Sequence, residues 1–387
     1  MGSETQNASS FAATIGTIKA NSNKAATTRA GLGGDLPRAV GPTCRAPDGI
    51  AIQIAALEKG RRPFERRDCG IDTLPPKGGG HCPSSLMGAV RMAIMNQSDS
   101  TVDQQRVRSV AQDLSEADLI QFCSGIFPDE PLYQRFANEA RFGLSRVLPV
   151  LSSFDTAQLD VLEVGAGSCI LAAYLASKNM RMTALEPLGP EFGFFTDLQN
   201  RTLDFCRRKS IPLDLIRKTG EQLDVRSRFD VAFTINALEH MRDPLLAIDN
   251  MVASLRSGGV LVAHCPNYTV PFDSHFNVLL LTRSKPINEW LYRSKIARYP
   301  SVWKELNFIR YIDVRRHLDA RGLAAAFNTS AMRDSVARLL DDPLFAQRMP
   351  LPVRAIGGIL RSTGLARALR LMPARFQSPM EVLVKKA

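Results

Sequence analysis

A chain of 387 residues, 45% of them hydrophobic, is long enough for a large α/β domain and has the composition of a soluble globular protein. Its seven cysteines form no C-x-x-C pair and only five histidines are present, so the sequence predicts no disulfide framework and no bound metal. The net charge of +11 is uneven, because residues 271–387 carry 20 basic against 9 acidic residues and residues 95–270 carry 17 against 22.

The first 94 residues are predicted to be a disordered leader. Runs rich in glycine and proline, such as 75–80, and a near absence of aromatic residues leave too little apolar surface to offset the entropy of ordering the chain. No secretory signal is visible, and the apolar stretch 86–95 is half the roughly 20 residues of a membrane-spanning helix, so we expect a cytoplasmic protein. A start codon assigned upstream of Met95 and a genuine leader both fit these observations.

Residues 95–157 are predicted to form a helical lead-in, because apolar residues from Leu132 to Leu148 recur at the spacing of one helical face. From residue 158 onwards, short buried strands alternate with helices, which indicates a parallel, doubly wound sheet. Strands are predicted at 161–164, 180–185, 213–216, 229–236 and 260–266, with helices at 169–177, 191–209 and 244–255.

Residues 158–387 are predicted to form one domain. Within it, the alternation of strands and helices stops after the fifth predicted strand. Residues 267–310 contain eight aromatic side chains, which predict an aromatic cap over the preceding sheet. The remaining elements are predicted as a helix at 313–321, a strand at 323–328, a helical insertion at 330–376 and a last strand at 380–384. The complete sheet is therefore expected to have seven strands.

The most informative motif is Glu163-Val-Gly165-Ala166-Gly167-Ser, where a strand meets a glycine-rich turn that opens into a helix. Glycines let the backbone turn tightly and approach a ligand closely. The third glycine of a dinucleotide fingerprint is replaced by Ile170, which argues against NAD. Glu186 ends the next strand, 21 residues after Gly165, where a carboxylate can accept hydrogen bonds from the ribose of an adenosyl group.

Taken in order, these motifs resemble the class I S-adenosylmethionine (SAM)-dependent methyltransferases. The resemblance continues in 219–222, in 229–244 with its Leu-Glu-His at 238–240, and in the Gly-Gly turn at 255–260. It implies a doubly wound, Rossmann-like sheet with SAM as the cofactor. The cofactor contacts that it implies come from Glu163, Gly165, Ala166, Gly167, Glu186, Glu221, Gln222 and Asn236.

The chain departs from the family pattern at two points, one at the cofactor and one that bears on the acceptor. Cys169 stands where many members have a third glycine, a change that the family tolerates. The segment Asn236-Ala-Leu-Glu239 replaces the (Asp/Asn)-Pro-Pro-(Tyr/Phe) of the branch that methylates amino groups of DNA and glutamine. The sequence therefore argues against that branch.

Three residues are candidates for catalysis. His240 and Glu239 follow the fourth strand, and a histidine there can remove the proton of a hydroxyl acceptor, because its pKa lies near neutrality. Bracing of the loop or contact with the cofactor is the alternative for His240. His275 belongs to a segment after the fifth strand, at the edge where doubly wound sheets bind ligands, and either catalysis or a structural role fits it.

The same segment resembles a Cys-Pro-Asn-Tyr…His-Phe pattern of bacterial methyltransferases. Asn267 and Tyr268 are therefore predicted to face the methyl acceptor. Further along, residues 351–375 alternate arginines with aliphatic residues, which predicts either a basic amphipathic helix in peripheral contact with a membrane or packing on the domain itself. Gly357, Gly358 and Gly364 weaken it as one continuous helix.

The predicted function is transfer of the SAM methyl group to oxygen or carbon of a small-molecule, saccharide or lipid-linked acceptor. An N-methyltransferase is the alternative enzyme, and a partner subunit with a SAM fold but no catalysis is the alternative of another class. Nucleic acid is not expected as a partner, because the basic surplus lacks a recognisable binding module.

Overall fold

A computed structural model describes residues 114–128, 132–154, 159–187 and 193–387. The predicted leader and the first part of the predicted lead-in lie outside these ranges. The described part of the lead-in forms two helices, α1 (Glu116–Ile126) and α2 (Leu132–Leu151). Ser115 begins α1 as its N-cap, because its hydroxyl accepts a hydrogen bond from the backbone N–H of Asp118.

Within the described residues, one sheet contains seven strands: β1 (Asp160–Val164), β2 (Arg181–Leu185), β3 (Leu213–Ile216), β4 (Phe229–Ile235), β5 (Leu255–Cys265), β8 (Ala324–Phe327) and β9 (Met380–Lys385). Their spatial order is β3-β2-β1-β4-β5-β9-β8. The first five in this order pair in parallel, whereas β9 is inserted antiparallel between β5 and β8. The predicted doubly wound, seven-stranded sheet is confirmed.

The sheet is covered on both faces, which is why its central strands are apolar throughout rather than alternating. The covering helices include α3 (Ile170–Ser177), α4 (Gly193–Lys209), α5 (Pro244–Ser254) and α9 (Tyr311–Ala320). Val161 of β1 packs with helices α1 to α4 on one face, while Leu162 packs with α5 and α9 on the other. Among the helices described, none is long and apolar enough to cross a membrane.

The cap follows β5 and has a small core of its own. It consists of a hairpin, β6 (Phe272–Asp273) and β7 (Val278–Leu279), and the helices α6 (Lys285–Leu291), α7 (Arg293–Ile296) and α8 (Pro300–Glu305). Its core contains Tyr268, Phe276, Val278, Ile296, Tyr299, Trp303 and Leu306. The cap therefore packs as a unit, through several of the aromatic residues from which it was predicted.

Between β8 and β9 the chain is helical, in α10 (Ala331–Asp341), α11 (Pro343–Arg348) and α12 (Leu351–Ser362). The continuous helix considered for 351–375 is interrupted at Gly364, which adopts φ +72°, and a 3-10 segment Leu365–Leu371 follows. Gly357 lies inside α12, at a point where an added Cβ would lie 2.6 Å from Leu339 Cδ2 of α10. Its missing side chain thus lets the two helices approach closely.

Candidate active site

The glycine loop (Gly165–Cys169) joins β1 to α3. Gly165 has φ +76° and Gly167 has φ +50°, left-handed values that favour glycine. The loop is held against β2, because the Gly165 N–H donates to Leu185 O at 2.9 Å and the Gly167 N–H donates to Glu186 Oε2 at 2.7 Å. Cys169 also adopts a left-handed conformation, at φ +58°, and occupies the N-cap of α3. The backbone N–H groups and the Glu186 carboxylate therefore share one small region.

Two acidic side chains, Glu163 and Glu186, lie in this region. Glu163, the residue before the last of β1, is almost fully buried, and within the described residues its Oε2 has no hydrogen-bond partner. Burial, together with the nearby charge of Glu186, raises the pKa of Glu163 to about 8. A buried carboxylate without a partner is costly, and a cationic group beside it lowers that cost. The loop is thus suited to a positively charged ligand.

The loop after β4 lies directly against the glycine loop. A Cβ at Gly165 would come within 2.4 Å of Ala237 Cβ, so only glycine permits this approach. Asn236 precedes Ala237 with φ +53°, and its Oδ1 lies 3.1 Å from His264 Nδ1 of β5. The predicted cofactor residue Asn236 is therefore anchored to the neighbouring strand while standing beside the glycine loop.

The turn after β3 contains two further residues predicted at the cofactor. Glu221 Oε1 accepts a hydrogen bond from the Asp243 N–H at 3.0 Å. Gln222 Oε1 accepts one from the Thr219 N–H at 3.1 Å, closing a capping box around a 3-10 turn. Both side chains hold the turn in shape, and their predicted contacts with the cofactor stay predictions.

His240 and His275 meet in a polar group that we name the histidine cluster, formed by Glu239, His240, Asp273 and His275. The imidazole rings of His240 and His275 are in edge-to-face contact, with centroids 5.1 Å apart. His275 Nδ1 lies 3.2 Å from Asp273 Oδ2, and His275 Nε2 lies 3.9 Å from Glu239 Oε1. His240 Nε2 lies 4.0 Å from the same Glu239 oxygen.

Three neighbours organise the cluster. Tyr268 donates its hydroxyl to Asp273 Oδ2 at 2.8 Å, and the Phe276 N–H donates to Asp273 Oδ1 at 2.7 Å. Asn307 of the cap donates its side-chain amide to Leu238 O and Met241 O, at 2.7 and 2.8 Å, and so clamps the turn that carries Glu239 and His240. The cap therefore fixes both halves of the cluster.

The two histidines differ in basicity. Burial alone would lower the pKa of His275, but the hydrogen bond and charge of Asp273, together with Glu239, raise it above its usual value. The pKa of His240 is depressed, because burial and the nearby charge of His275 both disfavour its protonated form. Burial raises the pKa of Glu239 to about 7. His275 is thus the stronger base of the pair.

Asn267 and Tyr268, predicted to face the acceptor, have other partners. The Asn267 amide donates to Arg375 O at 3.0 Å and to Gln377 O at 2.8 Å, while its Oδ1 accepts from the Thr269 and Tyr311 backbone. These contacts use the hydrogen-bonding capacity of the side chain and favour a bracing role. Tyr268 is buried and orients Asp273.

Asp273 and Asn307 were not predicted. Asp273 stands two residues before His275, and that spacing in a turn was the available signal. No comparable signal pointed to Asn307, because its role depends on the cap folding back onto the turn after β4.

Glu239, His240 and His275 have the residue types of a metal site. Their Nε2–Oε1 distances of 3.9 and 4.0 Å exceed the roughly 3.4 Å expected between two ligands of a tetrahedral zinc ion. The arrangement is closer to an acid–base set than to a closed coordination sphere. That no metal is bound stays a prediction.

Comparisons with known proteins agree on a methyltransferase domain. Residues 162–261 match a family model described as a methyltransferase domain. The chain is 30% identical over 265 residues to Rv1509, an uncharacterised protein of Mycobacterium tuberculosis, which covers 65% of this chain and 86% of that protein. It is 23% identical over 142 residues to the ubiquinone biosynthesis O-methyltransferase of Rickettsia conorii, which covers 35% of this chain and 47% of that enzyme. It thus spans about half of the length of that enzyme.

Among solved structures, phosphoethanolamine N-methyltransferase 2 of Haemonchus contortus, in complex with SAM, aligns with a TM-score of 0.39 and 12% identity. This alignment covers 65% of this chain and 53% of that chain.

The sheet order, the glycine loop and the acidic end of β2 define a protein that binds an adenosyl cofactor at the carboxyl edge of a doubly wound sheet. The chain belongs to the class I SAM-dependent methyltransferases and is an enzyme of that family with SAM as its cofactor. The residues present fit this cofactor, because SAM carries positive charge and the partnerless carboxylate oxygen of Glu163 lies buried beside the loop.

Proposed function

We propose that this enzyme methylates a hydroxyl oxygen of a small or amphiphilic acceptor, with His275 as the general base. The observation that carries the proposal is the pair formed by the half-buried His275 and the buried Asp273. A hydroxyl is a weak nucleophile and gains from losing its proton as the new C–O bond forms, whereas a neutral amine already offers a lone pair. A strengthened histidine base therefore favours oxygen as the methylated atom. The name of the Rickettsia conorii relative, an O-methyltransferase, supports the same choice.

The cofactor would be held by the glycine loop. The Glu186 carboxylate would accept hydrogen bonds from the ribose, Glu163 would face its positive charge, and Glu221 with Gln222 would border the adenine. The backbone surface in contact with the cofactor would come from Gly165, Ala166, Gly167 and Asn236. When bound, SAM supplies a methyl group attached to a sulfonium sulfur, and the demethylated cofactor leaves as a neutral thioether.

The acceptor would lie between the turn at 236–240 and His275. His275 would donate its Nδ1 hydrogen to Asp273 and take the hydroxyl proton on Nε2, and the resulting imidazolium would be stabilised by Asp273 and by Glu239. The electron pair of the broken O–H bond forms the C–O bond, and the pair of the broken S–C bond stays on sulfur. His240, with its depressed pKa, would stay neutral and limit the space beside the acceptor.

A matched pair of acceptors tests the methylated atom. Full-length enzyme, tritium-labelled SAM and a series of alkyl phenols would be compared with the anilines of identical skeleton. We expect methyl ethers to form from the phenols faster than the anilines are N-methylated, because His275 accelerates reaction of a hydroxyl whereas an aniline gains nothing from the base. Preferential methylation of the anilines would contradict the proposal.

A pair of histidine variants tests the base. His275→Ala should lower turnover of the preferred phenol by about 10²–10⁴, the usual contribution of a general base, while SAM affinity measured by calorimetry stays unchanged. His240→Ala is the matched control, since it removes the neighbouring imidazole of lower basicity and should cost much less. Equal losses in both variants would remove His275 from this role.

A further inference from the structure

The chain between β8 and β9 contains a basic and apolar surface that the methyl transfer does not use. Residues 343–380 include six arginines and no acidic residue. We name the part at 351–376 the arginine segment; it comprises α12, the 3-10 segment Leu365–Leu371 and a short 3-10 turn, Ala374–Phe376. Arg354, Arg361, Arg367, Arg370 and Arg375 are all exposed.

The same segment exposes large apolar side chains. These are Leu351, Ile356, Ile359, Leu365, Leu371 and Phe376, with exposures between 42% and 80%. Soluble proteins bury most such side chains, and a concentration of exposed ones marks a surface that is covered in another state. The side of α12 at Gly357 packs against α10, so the exposed Ile356 and Ile359 are left over after the helix has made its packing contact.

Within the part of the chain that the structure describes, few acidic groups pair with the arginines of the segment. Arg361 forms an exposed ion pair with Asp341 at 2.7 Å, and the Arg375 guanidinium stacks over the Phe376 ring at 4.7 Å. Because no acidic residue occurs in 343–380, the remaining arginines give the surface a net positive charge. Aliphatic and basic side chains mixed in this way suit the interface of an anionic bilayer, where the former enter the acyl region and the latter contact the headgroups.

The segment also approaches the active-site edge of the sheet. Asn267, which follows the carboxyl end of β5, donates its amide to Arg375 O and Gln377 O. The end of the arginine segment and the start of the cap are therefore tied together. A surface that binds the segment would lie near the edge at which the acceptor enters.

We propose that the arginine segment docks this enzyme on the surface of an anionic phospholipid bilayer. Docking is peripheral, through Ile356, Ile359, Leu365 and Leu371 with Arg367 and Arg370 among them. It stands on the exposure and charge of the segment, so it does not depend on which acceptor atom is methylated.

Other occupants fit the surface less well. A second copy of the chain would bring two arginine-rich, acid-free surfaces together, and the like charges would repel each other. A nucleic acid would pair with the arginines but leave the leucines and isoleucines in water. A bilayer is the partner that takes both kinds of side chain.

Sedimentation with vesicles tests the proposal on the full chain. The two vesicle types are phosphatidylcholine alone and an equimolar mixture with phosphatidylglycerol. We expect binding to the mixed vesicles and little to the neutral ones. Arg367→Glu with Arg370→Glu should weaken binding at least tenfold, because each basic residue near an anionic surface contributes about fivefold and the two contributions multiply. Ile356→Ser with Ile359→Ser should also weaken it, through lost apolar burial.

A matched control separates the segment from overall charge. Arg208→Glu with Lys209→Glu makes the same charge change at the exposed end of α4 and should leave vesicle binding within about twofold. SAM affinity of every variant verifies the fold. Equal binding to neutral vesicles, equal loss in the α4 variant, or a dimer that the segment variants dissociate in sedimentation velocity would each overturn the proposal.

Discussion

The basicity of His275 depends on neighbours on its own turn and across the site. Asp273 accepts its Nδ1 hydrogen bond, and Tyr268 holds Asp273 in position. Across the site, Glu239 faces its Nε2. A carboxylate on each side favours the imidazolium and so makes the neutral ring a better proton acceptor. Asp273 is thus a positioning residue, and its effect should be visible as a change in titration.

Replacing Asp273 with Asn should lower the pKa of His275. The hydrogen bond and charge of the aspartate raise that pKa, so the variant should lose the His275 proton at lower pH than the wild type. The measurement is an NMR titration of the histidine Cε1–H signals, with His275→Gln used to assign the resonance. Asp224→Asn, which removes a surface carboxylate paired with Lys218, is the control. An unchanged midpoint in Asp273→Asn would show that the aspartate does not act on His275.

At the scale of elements, the glycine loop and the turn after β4 are in contact through Gly165 and Ala237. Gly165→Ala combines an unfavourable left-handed φ with a Cβ that comes within 2.4 Å of Ala237 Cβ. We expect it to lower the free energy of unfolding by about 1–3 kcal/mol beyond the cost of φ alone, and to weaken SAM binding by displacing the loop. Chemical denaturation and calorimetry measure these two effects.

Gly258 offers a matched control for the free-energy cost of placing alanine at a left-handed φ. It has φ +79° with no atom within 4 Å of an added Cβ, so Gly258→Ala should cost about 1–2 kcal/mol and leave SAM affinity intact. Adding Ala237→Gly to Gly165→Ala removes the clash and should recover most of the extra loss. A double variant no better than Gly165→Ala alone would mean that the contact between the two loops is not the cause.

The central strands could be predicted because their burial leaves a local pattern. The third strand was expected at 213–216 and occurs there, whereas β5 begins at Leu255 rather than at residue 260. Its early start depends on pairing between Phe229 and Leu255 across an irregularity in the ladder, which no local pattern reveals.

Within the site, the same distinction separates what could be predicted from what could not. The glycine loop and Glu186 are neighbours through one βαβ unit and carry a recognisable motif. Asn267 was expected at the acceptor, but its amide is taken by backbone carbonyls more than 100 residues further along the chain. Such long-range partners become visible only in the folded molecule.

For the whole molecule, one charged network links four strands at the edge opposite the active site. Asp160 accepts hydrogen bonds from Arg181 at 2.7 Å and from Arg256 at 2.6 Å, and Arg256 also contacts Asp230. The hydrogen bond from Arg181 lowers the pKa of Asp160, although burial opposes it, and Arg256 lowers it further. The ionised aspartate therefore contributes to the stability of the sheet.

Asp160→Asn should reduce the free energy of unfolding by about 2 kcal/mol at pH 7. Because the folded-state pKa is depressed, this contribution is complete above the unfolded value of about 4 and is lost as pH falls through the folded value. The difference between wild type and variant in urea denaturation should therefore shrink below about pH 4. Asp224→Asn, at the exposed pair with Lys218, should change little at either pH. A loss at pH 7 that persists unchanged in acid would assign the effect to packing rather than to ionisation.

The position of β9 has a consequence for synthesis on the ribosome. β9 fills the gap between β5 and β8, and beyond it the Lys386 N–H donates to Gly259 O at 3.0 Å. Until residues 380–386 have left the exit tunnel, one edge of β5 in the nascent chain has no strand to pair with, and β8 lacks the strand between it and β5. Open strand edges are sites of mispairing with other chains. The sheet can therefore close only after translation has passed its last strand, and until then the growing chain depends on its helices, or on a chaperone, to cover that edge.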